Sequence, residues 1–579
     1  MASRATLPAS AFPRGHGIHP AATSPWLGFC CAVVFLLFAG LAPSSRAANP
    51  ALATAHPLAT ETGRAILEKG GNAFDAAVAV AAALAVVEPY SSGLGGGGFF
   101  LLHRARDGRQ IFVDARETAP ARATLSQFAG ASETLPRPTT EGARAAAIPG
   151  LPAALAHLAR RYGRLPLEVS LAPAIALAEQ GFPVDERYRT MAKVRFACLH
   201  GQAEAAGQFL DDGAVPEAGA RLTQPRLAQT LRALARHGER GFYAGPVARE
   251  MVAAVRRAGG LWTLADLARY RVRERRPLVF HYRGMRIVSA PPPSAGGLAL
   301  AQSLAMLGFF DMAQADEVQR MHWVVEALRR SFQDRARYVG DPDFVHVPVG
   351  RLLNPRYLAR RAASIEADRA TPSDTLEATP LPEGSDTTHF SIVDGEGNRV
   401  AATLSINTPF GACFVAGRTG VLLNSEMDDF SLGQGRVNVY GLADSAVNRL
   451  APLRRPVSSM SPTFVEDGRG VLVLGSPGGS RIISTVLLAV LGYAAQPAVD
   501  LEALVKAPRY HHQWWPDRIE VEPQGFSQSV LEELQLRGHE VRVTERPWGN
   551  LQLVWVDRLT GRAHAAADPR GQGSGMAWY

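Results

Sequence analysis

Lysine is almost absent from this sequence of 579 residues, and its absence narrows the range of partners that the protein can have. Only Lys69, Lys193 and Lys506 occur, so arginine supplies nearly all of the 61 basic residues behind a net charge of +8. The arginines are scattered among alanines and acidic residues instead of forming a basic stripe, and no nucleic-acid-binding motif occurs. A nucleic-acid partner is therefore not expected.

Cysteine is also scarce, with four residues in the whole chain. Cys30 and Cys31 lie in an N-terminal apolar segment, which leaves Cys198 and Cys413 for the rest of the protein. Two distant cysteines have none of the close spacings of a metal cluster, so no metal site is expected. The sequence leaves open whether they form a disulfide, even in an oxidising compartment.

The N-terminal apolar segment, residues 27–42, follows Arg4 and Arg14 and ends in small residues, which is the pattern of a secretory signal peptide. It is shorter than the roughly 20 residues that span a bilayer comfortably. We expect a signal peptide over residues 1–47 and export to the periplasm or out of the cell. An uncleaved membrane anchor is the alternative, because the polar stretch before the apolar run is unusually long.

Apolar periodicity divides the rest of the chain into helices and strands. Helical spacing predicts helices over 58–68 and 73–87, and the second is apolar on nearly all sides, as buried helices are. Further helical patterns cover 151–181, 222–270 and about 298–363. Strand patterns flanked by helices indicate sheets packed between helical layers.

A change of composition separates two parts of the chain. Residues 369–386 are rich in Pro, Ser, Thr and Glu, which predicts an exposed, flexible connection. Directly after it, residues 387–393 and 399–405 alternate like strands on either side of the turn at 394–398, so the pair is predicted to be a β-hairpin.

The glycine run at 93–98 fits the GxGxxG pattern at Gly93, Gly95 and Gly98. A dinucleotide site needs this pattern between a strand and a following helix. Here a helix precedes it and a strand follows, which excludes a nucleotide site. Close approach of two backbones in the core is the better interpretation.

Three local features of the sequence suggest a catalytic or ligand-binding site. Thr387 begins a strand after the predicted connection, and a threonine at a new N-terminus can use its own α-amine as the base. Residues 475–479 follow a strand and open a helix, where backbone N–H groups can hold an anion. Glu426, Asp428 and Asp429 could bind an ammonium group. Taken singly, each also has an ordinary structural interpretation: a strand start, a turn and a solvated acidic surface.

Eight segments together resemble the γ-glutamyltransferase (γ-glutamyltranspeptidase) family, over about residues 55–579. They occur in the family's order. The segments are 56–60, 70–77, 114–120, 291–297, 387–389, 424–430, 456–462 and 475–479. The departures are small: Ala295 stands where Ser is frequent, and Glu426 where some members have Gln.

The resemblance implies an α+β fold, a four-layer αββα sandwich of the N-terminal nucleophile hydrolase type. One precursor would be cut between Asp386 and Thr387 into a large subunit (48–386) and a small subunit (387–579) that form one intertwined domain. Thr387 would then be the nucleophile, supported by the Ser405 hydroxyl. The backbone amides of Gly478 and Gly479 would form the oxyanion hole. No metal or organic cofactor is implied.

The same resemblance implies the substrates, which are glutathione and other γ-glutamyl compounds as donors, with water, amino acids or dipeptides as acceptors. The donor's head group would be held by a set of side chains around the nucleophile. These are Arg116, Ser458 and Ser459 for the α-carboxylate, Asn407, Glu426 and Asp429 for the α-ammonium, and Tyr440 in a lid. An Arg clamp suits a carboxylate, and carboxylates suit an ammonium.

Two other functions are open at this point. A glutaryl or cephalosporin acylase on the same scaffold binds a group without an α-ammonium and has less use for Asn407, Glu426 and Asp429. A non-catalytic member of the fold would be expected to have lost Thr387 or its supporting residues. Since all of them are present, the γ-glutamyltransferase interpretation is preferred.

Overall fold

The computed structural model describes residues 48–128, 138–373, 387–433, 438–442 and 444–578. The predicted signal peptide, most of the predicted connection and Asp386 lie outside the described residues. Among the described helices, none has both the length and the apolar character needed to cross a membrane.

Eighteen strands are present in the described part of the chain. In chain order, β1 to β18 are Ala51–Thr54, Gly97–Arg104, Arg109–Ala115, Phe182–Pro183, Arg221–Leu222, Arg273–Arg275, Leu278–Tyr282, Met285–Ser289, Thr388–Val393, Arg399–Ser405, Thr463–Glu466, Gly470–Gly475, Tyr510–His511, Ile519–Val521, Val541–Val543, Gln552–Asp557, Ala563–Ala567 and Ser574–Ala577.

Eighteen α-helices are described between and around these strands. In chain order, α1 to α18 are Pro57–Glu68, Ala73–Val87, Leu151–Arg161, Leu167–Gln180, Glu186–Val194, Phe196–His200, Ala203–Phe209, Pro225–His237, Glu239–Tyr243, Gly245–Arg257, Leu264–Arg269, Gly296–Leu307, Glu317–Tyr338, Val349–Leu352, Pro355–Ala363, Arg481–Ala495, Leu501–Lys506 and Gln528–Leu536.

Two large antiparallel sheets form the centre of the protein. The first has seven strands in the order β18-β1-β9-β10-β2-β3-β6, and the second has six in the order β17-β16-β12-β11-β8-β7. Since side chains alternate along a strand, each sheet presents two faces that must be covered. Strand order is far from chain order, so residues distant in sequence become neighbours.

Alternation along β2 shows how the layers stack. Phe100 and Leu102 pack in a core with the all-buried helix α2 and its neighbours, whereas Phe99 and Leu101 pack in a second core. That second core contains strands of the other sheet and the apolar faces of α12, α13 and α16. The order of layers is therefore helix, sheet, sheet, helix, which confirms the predicted αββα sandwich.

The predicted hairpin is present and sets a register that matters for the site. In the β9–β10 ladder, Thr388 lies opposite Leu404. One step further along the ladder, Thr387 and Ser405 are therefore brought side by side. Cross-strand neighbours have Cβ atoms about 5 Å apart, close enough for their hydroxyl groups to interact.

The glycine run has the predicted role of close backbone approach. A Cβ atom added at Gly95, Gly96 or Gly98 would collide with a backbone carbonyl oxygen of an adjacent segment of the same chain. Gly98 also has φ +148°, a conformation that favours glycine. Gly96 and Gly98 let this part of the chain lie against β10, the strand that carries Ser405, and Gly95 allows close approach to Leu422.

Cys198 and Cys413 form a disulfide with Cα atoms 5.9 Å apart, which answers the question that the sequence left open. The Arg195 guanidinium lies 3.3 Å from both sulfur atoms and from the carbonyl oxygen of Gly411. The bridge joins α6 to the loop after β10, across 215 positions of sequence.

The beginning of the predicted flexible connection is ordered. Ser373 is fully buried, and its N–H donates to Asp517 at 2.6 Å. The Thr371 hydroxyl donates to Glu326 at 2.6 Å. Polar side chains indicated exposure there, but Glu326 of α13 and Asp517 provide hydrogen-bond partners, so residues 371–373 are held in place. Residues 374–386 lie outside the described residues, so the prediction of a flexible segment stays a prediction there.

Candidate active site

One cavity opens beside the N-terminal end of β9. It brings together every predicted site residue that the structure describes except Gly478, which is next to a lining residue. The predicted residues that line it are Arg116, Thr387, Ser405, Asn407, Glu426, Asp429, Tyr440, Ser458, Ser459 and Gly479. Their roles were assigned from resemblance alone, and their convergence on one cavity makes those roles physically possible.

Thr387 lies immediately before β9, and its residue surface is 6 % exposed. Phe390 and Ile392 of this strand pack in the helical core, so Thr387 shares the opposite face with His389 and Ser391. That face meets the second sheet, where the His389 ring lies against Gly475. Thr387 thereby lines the cavity together with Gly479 of the loop that follows β12.

Ser405 supports the loop that follows its own strand. The backbone N–H of Asn407 donates to the Ser405 Oγ at 2.8 Å. Asn407 has φ +75°, a left-handed conformation that is uncommon outside glycine, and its Nδ2 donates to the carbonyl oxygen of Ser425 at 2.8 Å. These bonds turn the chain so that Asn407 lines the cavity.

Gly478 and Gly479 end the loop between β12 and α16, as predicted. Their φ angles are +132° and +57°, which favour glycine. Neither backbone N–H donates a hydrogen bond to another described residue. Two unused N–H groups beside a nucleophile can stabilise the negative charge that develops on a carbonyl oxygen under attack.

Tyr440 covers this loop. Its hydroxyl donates to the carbonyl oxygen of Asn407 at 2.9 Å, and its ring lies so close to Gly479 that a Cβ there would clash. The segment around it is held by carboxylates, since Val439 N–H donates to Asp428 at 2.7 Å and Asn438 Nδ2 donates to Asp429 at 3.0 Å. Tyr440 therefore has the position of a lid.

Arg116 is the centre of the site's charge network and is 1 % exposed. Its Nη1 lies 2.6 Å from Glu426, and its Nη2 pairs with Asp429. The Nε and Nη2 also donate to the carbonyl oxygens of Pro456 and Val457 at 3.3 Å. Arg116 thus binds two of the carboxylates that were assigned to the substrate's ammonium.

Ser458 and Ser459 line the same cavity as Tyr440. The Ser458 backbone pairs with the proline-rich loop, accepting from Ala295 N–H at 2.8 Å and donating to Pro293 O at 3.1 Å. The Ser458 Oγ accepts from Met460 N–H at 3.1 Å. The loop at 291–297 therefore holds Ser458 in place.

Two charged residues of the site were missed in the sequence. Glu117 follows Arg116 directly, lies 3.5 Å from its Nη1, is fully buried and has no hydrogen-bond partner among the described residues for either carboxylate oxygen. Arg335 lines the cavity from α13. Glu117 could have been noticed within segment 114–120, but helical spacing alone says nothing about where Arg335 points.

Burial raises the pKa of Glu117 to about 7, from 4.5 for an unperturbed glutamate. Between these values the folded protein binds a proton that the unfolded chain releases, so stability should fall as the pH rises from 4.5 to 7. Glu117→Gln cannot ionise, so its thermal midpoint should fall less steeply over that range. The measurement compares the thermal midpoints of both proteins across this pH range, with the exposed Glu204→Gln as control. Parallel pH profiles for the Glu117 variant and its parent would contradict this prediction.

Comparison with known proteins agrees with this geometry. The family model described as gamma-glutamyltranspeptidase matches residues 59–578. The chain is 40 % identical over 561 residues to a glutathione hydrolase proenzyme of Pseudomonas sp. (strain A14), covering 94 % of this chain and 97 % of that one. It is also 40 % identical over 537 residues to a glutathione hydrolase proenzyme of Escherichia coli (strain K12), covering 91 % of each.

Solved structures show the same fold. A cephalosporin acylase from Bacillus halodurans superposes with a TM-score of 0.81 at 30 % identity, covering 92 % of this chain and 96 % of that one. A gamma-glutamyltranspeptidase of Helicobacter pylori superposes with a TM-score of 0.53 at 36 % identity, covering 56 % of this chain and 93 % of that one. With a family model that spans nearly the whole described chain, this protein belongs to the gamma-glutamyltranspeptidase family.

Proposed function

We propose that this protein is a self-cleaving γ-glutamyltransferase and glutathione hydrolase that uses Thr387 as its nucleophile. The observation that carries the proposal is a single cavity that holds a strand-terminal threonine, two unused backbone N–H groups and a set of buried charges suited to an amino-acid head group. The curated relatives named glutathione hydrolase proenzyme support both the activity and the precursor.

Cleavage of the precursor would begin with attack of the Thr387 Oγ on the carbonyl carbon of Asp386. The peptide C–N bond breaks, an ester forms between Asp386 and the threonine oxygen, and the nitrogen of Thr387 becomes a free amine. Water then hydrolyses the ester, which leaves a carboxylate on Asp386 and restores the hydroxyl. The products are a large subunit of 48–386 and a small subunit of 387–579.

The new α-amine is the proposed base for the mature enzyme. His389 is the nearest imidazole along the same strand face, but burial lowers its pKa to about 3. Its ring nitrogens are also engaged, with Thr403 Oγ1 at 2.8 Å and Ser391 Oγ at 3.3 Å. The amine of Thr387, attached to the same residue as its hydroxyl, is in reach of the proton that must be removed.

Turnover follows from the same groups. The Thr387 Oγ attacks the γ-carbonyl carbon of the donor, and the negative charge on the carbonyl oxygen is received by the N–H groups of Gly478 and Gly479. The leaving amine takes the proton from the α-amine of Thr387, and a γ-glutamyl ester remains on the threonine. Water, or the amine of an amino acid or dipeptide, then attacks the ester and releases the product.

The head group decides between this function and the acylase alternative. A glutaryl group carries no α-ammonium, so an enzyme for it would gain nothing from carboxylates at that end of the cavity. Glu426 and Asp429 are both there, and both are ion-paired with Arg116. Because a cephalosporin acylase shares the fold at a TM-score of 0.81, the fold itself does not discriminate and the buried carboxylates carry the choice.

The deciding experiment compares γ-glutamyl and glutaryl anilides as donors for the purified, cut enzyme. We expect kcat/KM to be at least about tenfold higher for the γ-glutamyl anilide, because a hydrogen-bonded charge pair contributes about 1.5–3 kcal/mol. Preference for the glutaryl anilide would assign the protein to the acylases. Inactivity on both, with an uncut chain, would favour a non-catalytic member of the fold.

Export is part of the proposal. The signal-peptide pattern over residues 1–47 supports a periplasmic or secreted enzyme, and the disulfide between Cys198 and Cys413 suits an oxidising compartment. Extracellular and periplasmic γ-glutamyl compounds would then be its donors.

The disulfide also predicts how the two subunits stay together. Cys198 belongs to the proposed large subunit and Cys413 to the small one, so the bridge would survive cleavage before Thr387 as a covalent link between them. On a denaturing gel, the mature protein should run as one band without reductant and as two bands after treatment with a phosphine reductant. N-terminal sequencing of the smaller reduced band should begin at Thr387.

Cys198→Ser provides the control for this prediction. It removes the link without touching the cavity, so the variant should give two bands with and without reductant and keep its activity. Two bands from the oxidised wild-type protein would show that the subunits associate without a covalent bond.

A further inference from the structure

The main chain of Tyr440 is bound by a glutamine from a distant part of the sequence. Gln513 lies in the loop after β13, 73 positions further along, and its Nε2 donates to the carbonyl oxygen of Tyr440 at 2.9 Å. Both residues are 5 % exposed, so the bond is shielded from water. Gln513 does not line the donor cavity, so any effect that it has on the site must pass through Tyr440.

A second hydrogen bond decides which way the Gln513 amide points. Its Oε1 lies 2.9 Å from the Nε2 of His511, and the Nδ1 of His511 lies 2.9 Å from the Oγ of Ser484. A carbonyl oxygen can only accept, so Tyr440 requires the amide NH2 group, which leaves Oε1 for His511. Burial lowers the pKa of His511 to about 4, so at neutral pH the ring is uncharged and carries its one proton on Nε2. The amide is thus held in one orientation.

Ser484 places the other end of this series of hydrogen bonds on α16. That helix begins two residues after Gly479, whose N–H belongs to the proposed oxyanion hole. The ring of Tyr440 lies against Gly479 itself. Tyr440 therefore touches the oxyanion loop with its ring, and its carbonyl oxygen is tied through two side chains to the helix that follows the same loop.

Tyr440 is held at two points that differ in kind. Its hydroxyl donates to the carbonyl oxygen of Asn407 at 2.9 Å, which fixes the end of the ring, whereas Gln513 fixes the main chain. A buried carbonyl oxygen that loses its donor costs free energy, and water can supply a donor only when the segment moves outward. Loss of the Gln513 amide would therefore favour an open lid.

We propose that Gln513 is a positioning residue that keeps the lid closed over the γ-glutamyl ester on Thr387, and so limits attack by water relative to attack by an amine acceptor. The inference rests on the proposed function. Tyr440 and Leu442 form part of the cavity wall that also includes Thr387. A closed lid keeps bulk water from the ester and gives an acceptor a surface to bind, and an open lid removes both effects.

Hydrogen exchange of the lid tests the contact without any substrate. The N–H groups of Val439, Tyr440 and Leu442 all donate to side chains, so they exchange when the lid opens. Gln513→Met removes the donor and keeps a side chain of similar length, so exchange over residues 438–442 should become roughly 10- to 100-fold faster in the cut enzyme. Gln535→Met makes the same change at an exposed position of α18 and should leave this exchange unaffected.

Product analysis tests the role in catalysis. The cut enzyme receives γ-glutamyl anilide and glycylglycine, and free glutamate is compared with γ-glutamyl-glycylglycine. Gln513→Met should raise the ratio of glutamate to the peptide at least about threefold. Both products come from one ester, so the ratio does not depend on how much of the enzyme is folded. Gln513→Asn has an amide that is one methylene shorter and cannot span His511 and Tyr440, so it should shift the ratio in the same direction and replaces the Met variant if that one does not fold.

Three results would overturn the proposal. Unchanged exchange over residues 438–442 would show that Gln513 does not hold the lid. Faster exchange with an unchanged product ratio would show that the bond holds the lid without governing the entry of water. An equal shift caused by Gln535→Met would show that the effect does not come from the contact with Tyr440. Release of neither product by the wild-type protein would instead mean that the proposed function has failed and the catalytic role with it, while exchange would still decide whether Gln513 holds the lid.

Discussion

Replacing Thr387 by alanine is expected to leave one uncut chain that has lost at least about a thousandfold of its turnover of γ-glutamyl amides. The reason is that the Thr387 hydroxyl is the nucleophile in two reactions. It attacks the preceding carbonyl in the precursor and the γ-carbonyl in the mature enzyme, so its removal stops both. The measurements are a denaturing gel under reducing conditions and the rate of anilide release.

Conservative variants make this prediction specific. Thr387→Ser keeps the hydroxyl and should still be cut, more slowly, with part of the activity retained. Thr388→Ser is the matched control, because Thr388 uses its hydroxyl to donate to Glu88 at 2.7 Å, away from the cavity, and serine can keep that bond. If Thr387→Ala were cut normally, or turned over donor at the wild-type rate, the proposed nucleophile would be wrong.

Replacing Arg116 by glutamine should have the largest effect on stability. Glu117, Glu426 and Asp429 are held around this one guanidinium, and all lie within its ion-pairing range. Removing one partner of a buried ion pair costs about 3–5 kcal/mol, because the remaining charge is left without compensation. We expect a lower urea midpoint in the Thr387→Ala background and a loss of γ-glutamyl turnover in the cleavable protein.

The pH dependence of this destabilisation tests whether an uncompensated buried charge is its cause. Burial raises the pKa values of Glu117 and Glu426, so both take up protons as the pH is lowered, and the uncompensated charge is removed. The destabilisation by Arg116→Gln should therefore be greater at pH 8 than at pH 5. Adding Glu426→Gln should restore part of the stability at pH 8. A destabilisation that neither acid nor the second substitution relieves would show that Arg116 acts by packing alone.

Much of the fold could be predicted from local sequence. Asn72 is the N-cap of the helix Ala73–Val87. Its side chain accepts hydrogen bonds from the N–H groups of Phe74 and Asp75, as its position before an apolar run predicts. The hairpin β9–β10 follows from two alternating segments around a turn rich in glycine. Local signals of this kind depend on neighbours a few residues apart, so a sequence is sufficient to find them.

The charged residues of the site were only partly predictable. Arg116, Glu426 and Asp429 were found because they lie in recognisable segments, but their pairing with one another in the cavity was not expected. Arg335 lies in a helix whose pattern gives no hint of a site. Whether it lines the cavity depends on which helix face meets the cavity, and that is decided by how α13 packs in the core with α12 and its neighbours.

From the sequence alone, we could predict the layered α+β architecture, the threonine before a strand and the family with its substrates, because each depends on short-range periodicity or on residues in a recognisable order. Only the tertiary structure decided that Cys198 and Cys413 pair, that residues 371–373 are anchored and that the Nε of Arg335 is buried without a hydrogen-bond partner in the described part of the chain. Each of these depends on residues far apart in the chain that meet through the strand order of two sheets. Such contacts arise from packing, to which no local pattern refers.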